Sequence, residues 1–266
     1  MTHLEIAIEA TKKAGQAILT LQNNTGFETK SDGSPVTVAD IASNTIIISI
    51  LEQTGIPILS EESIGIPVPY PEKLWIIDPL DGTKDFIAKS DGFSVMIGLL
   101  EKGEPILGVV FAPRLGTLYY AEKNKGSFLE KNGLITKLSV PPPQIGPLRF
   151  IRSVHNYSPI MESVAHKLGA TLHPHGSIGI KAGLVAHGDG DFFFSAGMLG
   201  EWDVCAPEII LTESGGMVTA MSGAPLFYGT HDHRVTNGIV FSNTHCHEKV
   251  LEAITETQKT ISPTAQ

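Results

Sequence analysis

Apolar positions at helical spacing open the chain. Leu4, Ala7, Ile8, Ala14, Ile18 and Leu21 fall on one stripe, which predicts an amphipathic helix from about Leu4 to Gln22 that covers a core. The polar, turn-rich stretch from Asn23 to Pro35 follows, read as a mobile loop that can close as a hairpin. Thr37-Val38-Ala39-Asp40 has the form of a capping box and starts a second helix, which runs to about Gln53 and stops at Gly55. Pro57 to Ser60 is a short apolar strand that delivers Glu61 and Glu62, and a loop with three prolines runs from Ile64 to Lys73. Leu74 to Ile77 reads as a short buried strand, too short for a helix and stopped by Pro79 and Gly82. A short helix to about Ala88 follows Thr83. Phe93 to Leu100, Ile106 to Ala112 and Thr117 to Glu122 then form an antiparallel meander, with one more hairpin at Gly126 to Gly133.

Pro141-Pro142-Pro143, followed by Gly146-Pro147, is the clearest linker and divides the chain into parts 1–143 and 144–266. Beyond it strand and helix alternate. Strands are expected at Leu148 to Ser153, Thr171 to His173 and Asp191 to Ser195, and helices at Pro159 to Leu168, Ile180 to His187 and Val204 to Ser214. Gly216 to Ala220 and Gly238 to Ser242 add strands, and Cys246 to Thr255 a closing helix. The pattern gives an α+β first part and an α/β second part.

Composition narrows this picture. A length of 266 residues allows a substantial core, and no stretch has the length or apolarity of a membrane span or a signal-peptide core, so a cytoplasmic protein is expected. Two cysteines are too few for a disulfide framework or a zinc cluster, and Cys205 reads as a small buried residue. A net charge of −9 argues against nucleic-acid polymers as partners. An anionic ligand would need bound divalent cations to offset these carboxylates.

The candidate chemistry is acidic. Asp78 and Asp81 leave a strand three residues apart, in Asp78-Pro79-Leu80-Asp81-Gly82-Thr83, where a turn can aim both carboxylates and the Leu80 carbonyl at one point. Such hard oxygens suit Mg²⁺, while the Gly82 and Thr83 amides at a helix start suit an anion. Asp40 at a helix start, Glu61 after a strand and Asp203 before a helix are further acidic stations, each with a bland explanation as a cap or a surface charge. An aspartyl nucleophile of the haloacid-dehalogenase kind would need Asp-x-Asp-Gly-Thr. The extra residue here disfavours it and leaves a metal-activated water.

Glu61-Glu62-Ser63, Trp75-Ile76-Ile77-Asp78-Pro79-Leu80-Asp81-Gly82-Thr83 and Trp202-Asp203 before Gly215-Gly216 resemble the magnesium-dependent, lithium-sensitive phosphatases of the inositol monophosphatase superfamily. Ser34 to Asp40, Leu59-Ser60-Glu61-Glu62, Asp81 to Ile87, Pro105 to Pro113 and Trp202 to Glu208 are similar to its 3′(2′),5′-bisphosphate nucleotidase (CysQ-like) branch, toward which Lys84 also tilts the substrate. The resemblance implies a layered αβαβα sandwich with the metal site between the two parts. It implies that Glu61, Asp78 and the Leu80 carbonyl hold one Mg²⁺, that Asp78, Asp81 and Asp203 hold a second, and that a third, weaker ion lies near Glu61 and Asp40. Thr83, oriented by Asp40, would position and deprotonate the attacking water, so Thr83, Asp40 and Glu61 form the catalytic set. Leu80, Asp81, Gly82, Thr83 and Asp203 would border the phosphate ester.

Gly176-Ser177-Ile178-Gly179-Ile180-Lys181 resembles a family element at a helix start. It reads either as a capped helix with Lys181 on its solvated face or as a second anion site for the 5′-phosphate. Arg152-Ser153-Val154-His155 departs from the nucleotidase pattern, and His231-Asp232-His233 reads as a polar loop near the site rim rather than a zinc motif. The implied reaction removes the 3′-phosphate of adenosine 3′,5′-bisphosphate to give AMP, as in the clearance of a by-product of sulfate assimilation. Inositol 1-phosphate or sugar monophosphate hydrolysis, and a catalytically silent metal or nucleotide sensor, stand as alternatives. A homodimer is left open.

Overall fold

Thr2 starts the first helix, α1 (His3–Leu21), by a reciprocal cap: its hydroxyl accepts from the Glu5 amide at 3.2 Å and its amide donates to the Glu5 carboxylate at 2.8 Å. The computed structural model describes residues 1–22, 27–29, 35–62, 66, 68–155 and 158–261. β1 (Phe27–Thr29) pairs antiparallel with β2 (Pro35–Thr37), so a hairpin joins the described ends of the polar stretch, the rest of which (23–26 and 30–34) lies outside the described residues. Thr37 and Asp40 form the expected capping box of α2 (Val38–Leu51).

Next come β3 (Ile58–Ser60), β4 (Lys73–Asp81), α3 (Thr83–Ile87), β5 (Ser94–Glu101), β6 (Glu104–Ala112), β7 (Thr117–Glu122), β8 (Gly126–Lys131) and β9 (Leu134–Leu138). Among the described residues these strands make one seven-stranded sheet in sequence order, with β3 parallel to β4 and every later neighbour antiparallel. The meander is therefore present. The proline run 141–143 has no regular secondary structure and is largely exposed.

The second part contributes β10 (Arg149–Ser153), α4 (Pro159–Leu168), β11 (Thr171–His175), α5 (Ile178–His187), β12 (Phe192–Ser195), β13 (Leu199–Gly200), α6 (Glu201–Glu213), β14 (Gly216–Ala220), β15 (Arg234–Val235), β16 (Ile239–Asn243) and α7 (His247–Ile261). Its main sheet runs β11-β10-β12-β16-β14, and β13 pairs separately with β15. The five layers follow from strand alternation. Trp75 and Ile77 of β4 pack in one core with α1 and α2, while Leu74 and Ile76 pack in the other with α5, α6 and the second sheet. Met161 and Val164 of α4 and Val250 and Ile254 of α7 close that second core from the far side.

Several boundaries differ from the sequence pattern, and for three of them the physical reason is plain. β4 continues to Asp81, because Pro79 sits in an irregular stretch of the β4–β5 pairing where no ladder amide is needed. α6 begins at Glu201, not Val204, since Gly200 caps it and the Asp203 carboxylate accepts from the Gly200 amide at 2.6 Å. α7 extends to Ile261 because its buried face recurs through Val250, Ala253, Ile254 and Thr257.

The seating of α6 decides where Asp203 lies. A Cβ at Gly98 would strike the Cys205 sulfur, and one at Gly108 would come within 2.5 Å of the Ala206 carbonyl oxygen. The helix thus lies directly on bare backbone of β5 and β6. Gly98→Val is expected to destabilise by on the order of 3 kcal/mol through overpacking. A lowered urea midpoint at unchanged m-value would report it.

Candidate functional site

In a regular strand, residues three apart face opposite sides. Asp78 continues the Leu74 and Ile76 face toward α6, and Asp81 would otherwise point to α1 and α2. The β4–β5 register shifts between Asp78 and Asp81, and Leu80 drops into the core under α1 and α2 with Trp75 and Ile77. That irregularity turns Asp81 back to the Asp78 side. Carboxylate oxygens of Asp78, Asp81 and Asp203 lie within 4.8 Å of one another.

Each acid is held by the backbone around it. Asp78 accepts from the Leu80 amide at 3.0 Å, and Asp81 accepts from the Ser177 hydroxyl at 2.5 Å and the Gly179 amide at 3.2 Å. Ser177 is also the N-cap of α5, accepting from the Ile180 amide at 3.0 Å, so the expected capped helix is present. Gly82 takes a left-handed φ of 91° that turns β4 into α3, a helix of five residues. The Thr83 hydroxyl lies 3.3 Å from Asp40 Oδ1 and 3.2 Å from the Leu80 carbonyl oxygen. Asp40 Oδ2 accepts from the Thr37 amide at 2.7 Å and the Thr37 hydroxyl at 2.6 Å. Asp40 is thus both the cap of α2 and a partner of Thr83.

The electrostatics are those of crowded, dehydrated acids. Burial first, then the charges of Glu61, Asp81 and Asp203, pushes the Asp78 carboxyl well above the usual range, and burial followed by Asp81 and Glu61 does the same to Asp203. Asp81 is raised by burial against the opposing effects of Lys181 and Ser177. Asp40 is raised by burial, opposed by its bonds from Thr37.

Lys181 differs from the solvated reading. It is buried, its ammonium 5.5 Å from the centre of the Phe193 ring, and burial lowers its pKa while Asp81, Asp85 and Asp203 draw it back up. α5 is buried on nearly all sides, so no solvated face exists for it.

Glu61, Asp78, Leu80, Asp81, Gly82, Thr83, Ser177, Lys181 and Asp203 line one cleft of about 500 Å³, together with Lys84. Asp40 does not line it and reaches it through Thr83. A larger cleft, about 610 Å³, surrounds Glu208 and Tyr228 at the other end of α6 and holds none of these residues. Asp85 is an addition: buried, bonded by Ser90 at 2.5 Å and paired with His155 Nε2 at 3.0 Å on the cleft wall. No spacing in the sequence joins residues 85 and 155. His233 accompanies Tyr70 and Glu201 beside the start of α6 and does not line the cleft.

The donor set fits a divalent ion. All its members are hard oxygens, three are mutually close carboxylates with Glu61 beside them, and burial weakens the charge of Lys181, the cation that acts on Asp81. Among the described residues no helix is long and apolar enough to cross a membrane.

The sequence pattern of the inositol monophosphatase family matches residues 2–259. The chain is 35% identical over 252 residues to the 3′(2′),5′-bisphosphate nucleotidase CysQ of Aggregatibacter actinomycetemcomitans, covering 91% of this chain and 94% of that protein. It is 35% identical over 234 residues to the protein of the same name in Escherichia coli K12, covering 85% and 93%. Among solved structures, the Thermotoga maritima IMPase superposes with a TM-score of 0.85 at 28% identity, over 98% of this chain and 100% of that one. CysQ of Bacteroides thetaiotaomicron gives 0.78 at 29% identity, over 90% and 97%. With this coverage from end to end, and with its acids gathered where two sheets meet one helix start, the chain belongs to the inositol monophosphatase family.

Proposed function

We propose that the protein is a Mg²⁺-dependent 3′(2′),5′-bisphosphate nucleotidase that removes the 3′-phosphate of adenosine 3′,5′-bisphosphate to leave AMP. The observation that carries this reading is the convergence of Asp78, Asp81 and Asp203 within 4.8 Å on the cleft that Thr83 also lines. The likeness to CysQ nucleotidases along most of the chain supports the substrate. So do Lys84 and Lys181 on the cleft wall, two cations beside which a second phosphate can sit.

Glu61, Asp78, Asp81, Asp203 and the Leu80 carbonyl would hold two or three ions. Bound there, Mg²⁺ would polarise the phosphoryl oxygens, stabilise the leaving alkoxide and make water a better nucleophile. The protein's own part is positioning and proton handling. The Thr83 hydroxyl donates to Asp40 Oδ1, which leaves the Thr83 oxygen free to accept a hydrogen from the attacking water. Burial disposes Asp40 to share that proton, while its bonds from Thr37 fix its orientation. Ser177 and the Gly179 amide hold Asp81 against rotation.

Thr83→Ala is expected to lower kcat by roughly 100-fold with the fold retained, the usual worth of a positioned proton-transfer group. Thr83→Ser should recover most of it, and a near-normal rate in the alanine variant would remove Thr83 from the mechanism. The substrate is tested by phosphate release from adenosine 3′,5′-bisphosphate and from inositol 1-phosphate at equal Mg²⁺. Faster turnover of the bisphosphate is expected. Equal or better turnover of inositol 1-phosphate overturns the substrate, and no release from either overturns the enzyme in favour of a sensor.

A further inference from the structure

Glu201, the first residue of α6, is fully buried two residues before Asp203. Its Oε1 accepts from the amides of Gly229 and Thr230, both at 3.0 Å, and from the Thr230 hydroxyl at 2.9 Å. Its Oε2 accepts from the Tyr70 hydroxyl at 2.6 Å. Four donors on one carboxylate make a strong anchor for a buried charge. The Tyr70 oxygen also lies 2.6 Å from His233 Nδ1. A phenol has one proton, here given to Glu201, so His233 must carry its proton on Nδ1 and donate to Tyr70. Burial and the Glu201 charge hold Tyr70 in its neutral form, as that relay requires.

The backbone closes the same knot. The Glu201 amide donates to the His233 carbonyl at 2.9 Å, and Gly200, whose amide bonds Asp203, is paired with Arg234. Three parts of the chain therefore meet on one helix turn: Tyr70, the strap 229–235, and the start of α6.

We propose that Tyr70, Glu201 and His233 form a latch that fixes the first turn of α6 and with it the position of the Asp203 carboxylate, and thereby the affinity of the acidic cluster for its divalent ion. This rests on reading that cluster as a metal site. The three act as positioning residues and touch neither ion nor substrate.

The test is calorimetric titration of Mg²⁺ into chelator-treated, dialysed protein without substrate. Outer-shell partners of metal ligands are commonly worth 10- to 100-fold in affinity. Glu201→Ala and Tyr70→Phe are expected to weaken Mg²⁺ binding by roughly that range, with the substrate KM at saturating Mg²⁺ little changed. Glu201→Gln retains an acceptor for Gly229 and Thr230 and is expected to recover most of the affinity. Should Glu201→Ala fail to fold, Tyr70→Phe, which removes one hydroxyl, decides alone. Folded variants that bind Mg²⁺ as tightly as the wild type overturn the latch. Absence of Mg²⁺ binding by the wild type itself would instead overturn the metal-site reading.

Discussion

Asp81→Asn is expected to lower kcat by about 1,000-fold or more while the protein stays folded, a loss of about 4 kcal/mol of transition-state stabilisation. The direction follows from which donors face Asp81. Ser177 Oγ and the Gly179 amide both donate to Asp81 Oδ2. An asparagine must therefore turn its carbonyl oxygen to them, because its NH₂ has no acceptor there. That leaves the NH₂ group on the side of Asp78 and Asp203, where the proposed cation would be held by anions. The substitution replaces a proposed ligand by a donor and removes one charge from the cluster, yet keeps both hydrogen bonds that fix α5 to β4. Asp81→Ala, by contrast, leaves Ser177 and Gly179 without their acceptor and should also cost stability, about 1–3 kcal/mol. Phosphate release at saturating Mg²⁺, with circular dichroism on the same samples, separates the two variants. A rate for Asp81→Asn within tenfold of the wild type would take Asp81 out of the metal set.

This geometry shows which parts of the molecule were legible in the sequence. Helix caps at Thr37 and Ser177 and the meander strands are local: neighbouring residues state them through side-chain reach and through periods of 3.6 and 2. The acidic stations were legible as types placed at strand ends and helix starts. Their convergence is another matter. It depends on the irregular pairing of β4 with β5, which carries Asp81 back to the Asp78 side, whereas the strand read alone is stopped by Pro79.

Lys181 shows a different limit. Read by its charge it belongs in water, but its neighbours Ile178, Ile180, Ala182, Val185 and Ala186 surround the helix with apolar positions. A helix apolar all round is a buried helix, and that signal outweighs the preference of one lysine. Asp85 with His155, and Glu201 with Tyr70, lie too far apart in sequence for any spacing to join them. Only the stacking of five layers brings these pairs together.

Withdrawing divalent ions from the wild type is expected to lower Tm by about 5–10 °C at pH 8 and by much less at pH 5. At a concentration 100 times its Kd, a ligand bound only by the folded state contributes about 2.7 kcal/mol. In a protein of this size each 1 kcal/mol moves Tm by about 2–4 °C. The pH dependence comes from the acids. In the ion-free fold Asp78, Asp81 and Asp203 have raised pKa values, chiefly through burial. Unfolded aspartates titrate near ~4. Below that value both states are protonated and the cluster costs nothing. As pH climbs from there through the raised folded values, the folded state retains protons that the unfolded state releases, so stability falls, and above them the full penalty stands. Bound Mg²⁺ compensates the charge and should flatten this decline. Other titrating groups would blur the trend in one protein alone, so the comparison is with Asp203→Asn, which removes one member and leaves the rest in place. In chelator, that variant should lose less Tm than the wild type between pH 5 and 8, and should be the more stable of the two at pH 8 although its activity is expected to be lost. Parallel Tm curves for the two proteins in chelator would mean that these carboxylates do not repel one another in the folded state, and the case for an ion between them would fall.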